Sequence, residues 1–165
     1  MNLIVAVDEN YAIGKENRLL FSIPDDMKHF REITSGKTVV MGRRTLMSFP
    51  GGKPLKNRRN IVLTRRADAE PDGYEICRSL DELAQLFKGA DTSDVFVIGG
   101  ESVYRLLLDY CEYAYITHME RKFEADTYFP RLGDGWSLYS ESGQKDYEGL
   151  KYRFSVYKNS SPKQL

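Results

Sequence analysis

Short apolar runs alternate with amphipathic stretches along most of the chain. The β-rich runs "NLIVAV", "KTVVMG", "NIVLT", "YEICRS", "DVFVIGG" and "YAYITHM" are separated in several places by helical patterns near residues 25–34, 80–88 and 101–109. That alternation predicts an α/β fold. "DVFVI" is apolar enough to be covered on both faces, which points to a central strand and parallel pairing. Ser79 with Glu82 reads as a capping box opening "SLDELAQLF". Beyond residue 128 the texture changes to "WSLYSESG" and "KYRFSVYKN" with no strong helix between, which predicts antiparallel strands closing one edge of the sheet. "FPGGKPLKN" reads as a surface loop and "NSSPKQL" as a loose end. One domain over residues 1–159 with a flexible tail over 160–165 is therefore expected.

The first helical pattern, "LLFSIPDDMKHFREIT", carries one anomaly. Setting it at roughly 100° per residue with Asp25 at the origin puts Ile33, Phe30 and Met27 on one arc at roughly 80°, 140° and 200°, with Asp26 inside that arc at roughly 100°. Pro24 suits a first helical turn, where its missing N–H is no loss. Acids favour helix N-termini, and that accounts for Asp25. Asp26 could cap in the same way, but an acid directed into apolar surroundings is unfavourable unless something pairs with it. A functional carboxylate and a structural one both remain open on this stretch alone.

Composition narrows the class of partner. The 165 residues are 41% hydrophobic and 12% aromatic, enough for a single packed core. Twenty-four basic residues balance twenty-four acidic ones, so no global field recruits nucleic acid or an anionic membrane. Small-molecule partners are expected. Cys77 and Cys111 have no close Cys or His neighbours in the sequence, arguing against zinc or a disulfide framework and for reduced thiols in the cytoplasm. "LIVAV" is too short to span a membrane and lacks the basic flank of a secretion signal.

In an open parallel sheet, ligands sit beyond the carboxyl ends of the strands. Here those ends read Ala6 to Asp8, "MGRRT", "LTRR" and "VIGGES", a gathering of glycines, hydroxyls and cations that suits a phosphorylated ligand. Gly99 and Gly100 open a helix and could let backbone approach a pyrophosphate, although taken alone the pair reads first as a tight turn. The Gly-x-Gly-x-x-Gly spacing of a standard dinucleotide turn is missing, so a dinucleotide would dock differently. Gly42 to Thr45 ("GRRT") and Thr64 to Arg66 ("TRR") add guanidiniums that recognise phosphate bidentately. Either cluster alone reads as solvated surface; together on one rim they favour a ligand with an extra phosphate. His29, on the polar helix face, and His118, in a β-rich run, find no nucleophile by spacing and read as satisfied or exposed.

Taken in order, "YAIGKENRLLFSIPDDMKHF", "VVMGRRT", "VIGGESVY", "ITHM" and "EADTYFP" resemble dihydrofolate reductases over nearly the whole chain. The resemblance implies a mixed, mainly parallel eight-stranded sheet with four flanking helices, and NADPH-dependent reduction of dihydrofolate in tetrahydrofolate biosynthesis. It implies a catalytic carboxylate at Asp26, hydrogen-bonded by Thr117, with Phe21 beside the reacting end. Ile4, Val5, Ala6, Met27, Phe30, Phe49, Leu55 and Ile98 would wall the substrate pocket, and Arg58 would clamp the substrate's glutamate α-carboxylate. Ala6, Ile13 and Gly14 would meet the nicotinamide, Ile13 beginning a mobile loop. Gly42, Arg43, Arg44, Thr45, Leu63, Thr64, Arg65, Arg78, Gly99, Gly100, Ser102, Val103, Tyr104 and Thr127 would hold the rest of the cofactor, with Arg43, Thr64 and Arg65 at its 2′-phosphate. Dihydrofolate and antifolate inhibitors are the implied partners, and the chain is expected to be a monomer.

Two stretches depart from the family pattern. Leu20 and Phe21 stand where the family usually has Pro then Trp, which removes an indole donor. Glu101 and Ser102 stand where another glycine or a basic residue is frequent. A relative reducing another heterocycle on the same fold is the rival enzyme reading, and a non-catalytic nucleotide-binding module the rival from another class.

Overall fold

The computed structural model describes residues 1–66 and 71–165. The chain begins with β1 (Asn2–Val7) and the short β2 (Ala12–Gly14), then α1 (Pro24–Thr34) and β3 (Thr38–Gly42). There follow α2 (Arg43–Ser48), β4 (Arg59–Leu63), β5 (Glu75–Cys77), α3 (Leu80–Leu86), β6 (Val95–Gly99) and α4 (Glu101–Leu107). The remainder is strand: β7 (Tyr113–Met119), β8 (Thr127–Tyr128), β9 (Trp136–Glu141), β10 (Lys145–Tyr147) and β11 (Leu150–Asn159).

The main sheet runs in the order β10, β11, β7, β1, β6, β3, β4, β5. Pairing from β7 across to β5 is parallel throughout. β11 then returns antiparallel along β7, Tyr152 opposite Met119 and Lys158 opposite Tyr113. Its other edge is shared end to end by β10 and β9, so nine strands occupy the eight positions of a mixed, mainly parallel sheet. β2 and β8 form a separate small pair.

Alternation along the strands sorts side chains onto two faces. Leu3, Val5, Val40, Val97, Ala114 and Ile116 share one core with Leu83 of α3 and Val103, Tyr104 and Leu107 of α4. Ile4, Val39, Met41 and Phe96 share the other with Leu46 of α2 and, partly buried, Phe30 and Ile33 of α1. Helices thus cover both faces, α1 and α2 on one side, α3 and α4 on the other. The crossovers leaving β1 and β6 pass to opposite faces, which opens a crevice at the carboxyl ends of these adjacent strands.

Several expectations are met in detail. The Ser79 hydroxyl caps α3 by accepting from the Glu82 N–H at 3.1 Å, while the Glu82 carboxylate reaches one residue past the cap and accepts from the Arg78 N–H at 2.6 Å, a variant of the expected capping box. Others are corrected. The tail expected to be loose is tied down: the Lys163 N–H and ammonium both reach Asp109 at 2.8 Å, and Leu165 packs on the larger core. Met27, at the margin of the apolar arc, is 42% exposed. Asp25 makes no cap; α1 begins after Ile23 with no side-chain cap bond. Among the described residues no helix is long and apolar enough to cross a membrane.

Candidate active site

Asp26 sits in the first turn of α1, half-buried, on the side facing the sheet. The buried Thr117 hydroxyl of β7 donates to its Oδ1 at 2.6 Å. Residue 117 falls on the α1 side of β7 because Tyr115, two positions earlier, belongs to that face. Burial raises the Asp26 carboxyl above the ordinary carboxylate range; the Thr117 bond and His29 oppose that rise, and the negative charge of Asp25 adds to it. A protonatable acid is therefore held at the inner end of an apolar crevice.

The walls come from the elements the sequence pointed to. Ile4, Phe30, Phe49, Leu55 and Ile98 belong to one apolar cluster on this face, and Ala6 and Phe21 to the neighbouring one. Phe21 packs near Phe123 and Tyr147, with ring centroids 6.1 and 6.2 Å away. Val5 is a correction: its side chain joins the core on the opposite face, so only its backbone is available to this crevice. At the far end, Arg58 lies over the Phe30 ring at 5.9 Å and donates to Thr34 Oγ1 at 3.1 Å. Burial first and then the nearby Arg31 lower its pKa, so two guanidiniums stand close together at the C-terminal end of α1.

The carboxyl ends of β3 and β6 meet in a tight glycine junction. A Cβ on Gly42 would lie 3.2 Å from Val103 Cγ2, and one on Gly100 3.4 Å from Thr45 Oγ1. Gly99 has φ +121°, and a Cβ there would lie 3.2 Å from the Tyr104 ring, so this turn favours glycine. The Gly99–Gly100 peptide is cis. Arg43 and Arg44 open α2 beside the junction, and Thr64 and Arg65 follow β4 in the next position along the rim. Leu63 packs partly on the larger core, and Arg78 follows β5 exposed. Ser102 is exposed, whereas Val103 is buried with its N–H on the Gly100 carbonyl at 3.1 Å. The Tyr104 hydroxyl donates to the Ile4 carbonyl at 2.7 Å, which braces β1 beside the rim.

β2 carries Ile13 and Gly14 to the near side. A Cβ on Gly14 would lie 2.9 Å from the Arg18 carbonyl and 3.0 Å from Thr127 Oγ1, which closes β2 against β8. Sequence reading missed what holds this corner. Buried Asp8 accepts from the N–H groups of Asn10, Ala12 and Phe123 at 2.8–2.9 Å, stapling β1, β2 and the segment before β8. His118 bonds the Tyr157 hydroxyl at 2.9 Å away from the crevice, and burial lowers its pKa to about 4. Among the described residues no cluster of His, Cys, Asp or Glu could hold a metal.

A sheet with helices on both faces, one acid in an apolar crevice and a glycine- and arginine-lined rim defines an α/β nucleotide-binding protein. Comparison with known proteins narrows the class. A family model described as dihydrofolate reductase matches residues 1–159. The dihydrofolate reductase of Bacillus subtilis is 39% identical over 98% of this chain and 96% of its own, and that of Staphylococcus haemolyticus 36% over 95% and 94%. A solved structure of dihydrofolate reductase from Enterococcus faecalis, complexed with NADP(H) and RAB-propyl, superposes with a TM-score of 0.87 at 31% identity, over 97% of this chain and 96% of that one. The chain belongs to the dihydrofolate reductase family.

Proposed function

We propose that this protein reduces 7,8-dihydrofolate to 5,6,7,8-tetrahydrofolate with NADPH, and that Asp26 is the catalytic carboxylate. The observation that carries this reading is the Asp26 carboxyl, raised by burial and held by Thr117 at 2.6 Å among apolar walls. The Asp26 oxygens accept hydrogen bonds from the pterin ring N–H and exocyclic amine, which fixes the ring in register. As hydride forms the new C6–H bond, the C6=N5 π electrons move to N5, which gains a proton through water oriented from the Asp26 side. A carboxyl held above the ordinary carboxylate range by burial serves that delivery better than one within it. Ile4, Phe30, Phe49, Leu55 and Ile98 keep bulk water away, with Met27 at the mouth, and Arg58 receives the glutamate α-carboxylate.

The rim suits NADPH. Its glycine junction is tight, with a Cβ on Gly42 or Gly99 only 3.2 Å from the nearest side chain, so the bare backbone can approach a pyrophosphate. Arg43, Thr64 and Arg65 would hold the 2′-phosphate, with Arg44, Thr45 and Ser102 along the rest of the rim and Ala6, Ile13, Gly14 and Thr127 at the nicotinamide end. NADPH contributes the hydride when bound. Phe21, in place of the family's usual tryptophan, keeps the wall apolar and leaves water to be oriented by the remaining polar groups. Both cysteines are buried and unpaired, in keeping with a reducing cytoplasm, and the protein acts as a monomer in this reading.

The test is loss of NADPH absorbance with dihydrofolate, for the protein and for Asp26→Asn. Turnover that falls about a hundredfold or more in the variant at neutral pH supports the reading. Cofactor binding without turnover in either protein, or unchanged turnover in the variant, refutes it.

A further inference from the structure

Asp25 looked like an ordinary helix-start acid, yet it caps nothing. Its Oδ2 accepts a hydrogen bond from the Tyr152 hydroxyl of β11 at 2.9 Å, and Lys145 Nζ of β10 lies 4.0 Å away. Tyr152 is buried, and burial together with the Asp25 bond pushes its hydroxyl up to about 12, so it remains a neutral donor across the working pH range. One residue on, Asp26 is tied to β7 through Thr117. The first turn of α1 is thus clipped at consecutive residues to two adjacent strands. One turn further along, His29 lies flat on Phe154 of β11, centroids 4.0 Å apart and planes 16° apart. Lys145 Nζ stands 5.8 Å from the centroid of the same ring.

An asparagine at position 25 would accept the same Tyr152 bond. What the acid adds is a charge next to the one carboxyl that the chemistry uses. Resting on the reading of Asp26 given above, we propose that Asp25 is a positioning residue of the reduction, acting through Asp26: its tie to Tyr152 fixes how the first turn of α1 presents the Asp26 carboxyl, and its own carboxylate keeps a negative charge beside it.

The groups facing this pair fix the sign. On α1, Asp25 favours the protonated form of Asp26 and His29 favours the ionised form, as does the Thr117 bond from β7. From β11 comes Tyr152, and from β10 Lys145 and Asp146, the latter acting on Tyr152. Burial remains the largest influence on Asp26. Asp25 is 45% exposed at its side chain and has Lys145 close by, so its effect is that of a screened surface charge.

The experiment follows Asp26 by carboxyl-carbon NMR titration of the cofactor-free protein and by the pH profile of kcat/KM, for the unmodified chain, Asp25→Asn and Tyr152→Phe. Asp25→Asn keeps the acceptor and loses the charge. Asp26 then titrates at lower pH, and kcat/KM falls about two- to fivefold on the neutral side, the gap closing toward acid pH where Asp26 is protonated in both. Tyr152→Phe keeps the charge and loses the tie; its kcat falls while its Asp26 titration moves less than that of Asp25→Asn. Superimposable titrations and profiles for Asp25→Asn and the unmodified chain overturn the proposal. A Tyr152→Phe titration shifted as far as that of Asp25→Asn overturns the role of the charge. An unmodified chain that fails to oxidise NADPH with dihydrofolate overturns the reading of Asp26 instead.

Discussion

Replacing Thr117 by valine isolates the hydrogen bond on which the Asp26 site depends. Thr117 is 2% exposed and valine has nearly its shape, so the substitution exchanges a hydroxyl for a methyl without opening a cavity. A hydrogen bond to a charged acceptor contributes about 1.5–3 kcal/mol, and the new buried methyl returns about 0.8 kcal/mol. With Asp26 ionised the variant should therefore be less stable by about 1–2 kcal/mol, which for a chain of this length lowers Tm by about 2–8 °C. With Asp26 protonated the lost bond is between neutral groups, about 1 kcal/mol, and the two effects nearly cancel.

The sign with pH follows from burial. Because the folded Asp26 carboxyl lies above its ordinary range, the folded state binds more protons than the unfolded chain between the two values. The stability associated with this group is fully present below the unfolded value and is lost as pH rises through the folded one. Removing the Thr117 bond raises the folded value further, so the valine variant loses more over the same rise. Urea unfolding of both proteins across the acid-to-alkaline range should show midpoints that nearly coincide at the acid end and separate as pH rises, at constant m. A gap that is uniform with pH, or that closes as pH rises, would refute the assignment of this bond to an ionisable Asp26.

Asp26→Asn retains an acceptor for Thr117 and removes the desolvated charge, so unfolding at neutral pH should show a gain of about 1 kcal/mol that disappears at acid pH, alongside the loss of turnover. Arg58→Gln should raise KM for dihydrofolate about 10- to 100-fold with little change in kcat; a comparable loss against a pterin lacking the glutamate tail would contradict the clamp. Arg65→Ser should weaken NADPH about tenfold and leave NADH nearly unaffected, as measured by fluorescence titration with each cofactor. Gly99→Ala places a Cβ 3.2 Å from the Tyr104 ring at φ +121° and should lower both Tm and NADPH affinity; a variant matching the parent in both would show that the turn yields.

Long, strongly apolar elements were readable in the sequence because burial writes itself into composition. β1, β3, β6 and β7 appear as apolar runs, and α1 as a 3.6-residue period whose one misplaced acid marked the crevice. Some of the shortest pieces were not readable. α2, β2, β8 and β10 are too short to show a period, and neighbouring elements impose their conformation. Val5 shows a distinction that strand alternation does contain: its neighbours Ile4 and Ala6 share a face that Val5 cannot, so a pocket wall including all three side chains was excluded by the period of two. Partners distant in sequence left no local signal. Thr117 lies 91 residues from Asp26 and was reached only through family resemblance, while Tyr152 lies 127 residues from Asp25 and was not reached at all.

That last gap changes the meaning of the C-terminal strands. Alternation and the lack of a helix mark them as the antiparallel edge of the sheet, and they are. Yet β11 also supplies the hydroxyl that grips Asp25 and the ring on which His29 lies, and its neighbour β7 supplies Thr117. Removing a carboxyl from water disfavours folding in its ionised form, so α1 would be expected to turn or slide until Asp26 reached solvent. The bonds from Thr117 and Tyr152 and the His29–Phe154 stack oppose that movement at three points along the first turns of the helix. The position of the Asp26 carboxyl is therefore set by the last part of the sheet to be written in the sequence, and α1 taken alone records only that an acid has been placed on its apolar side.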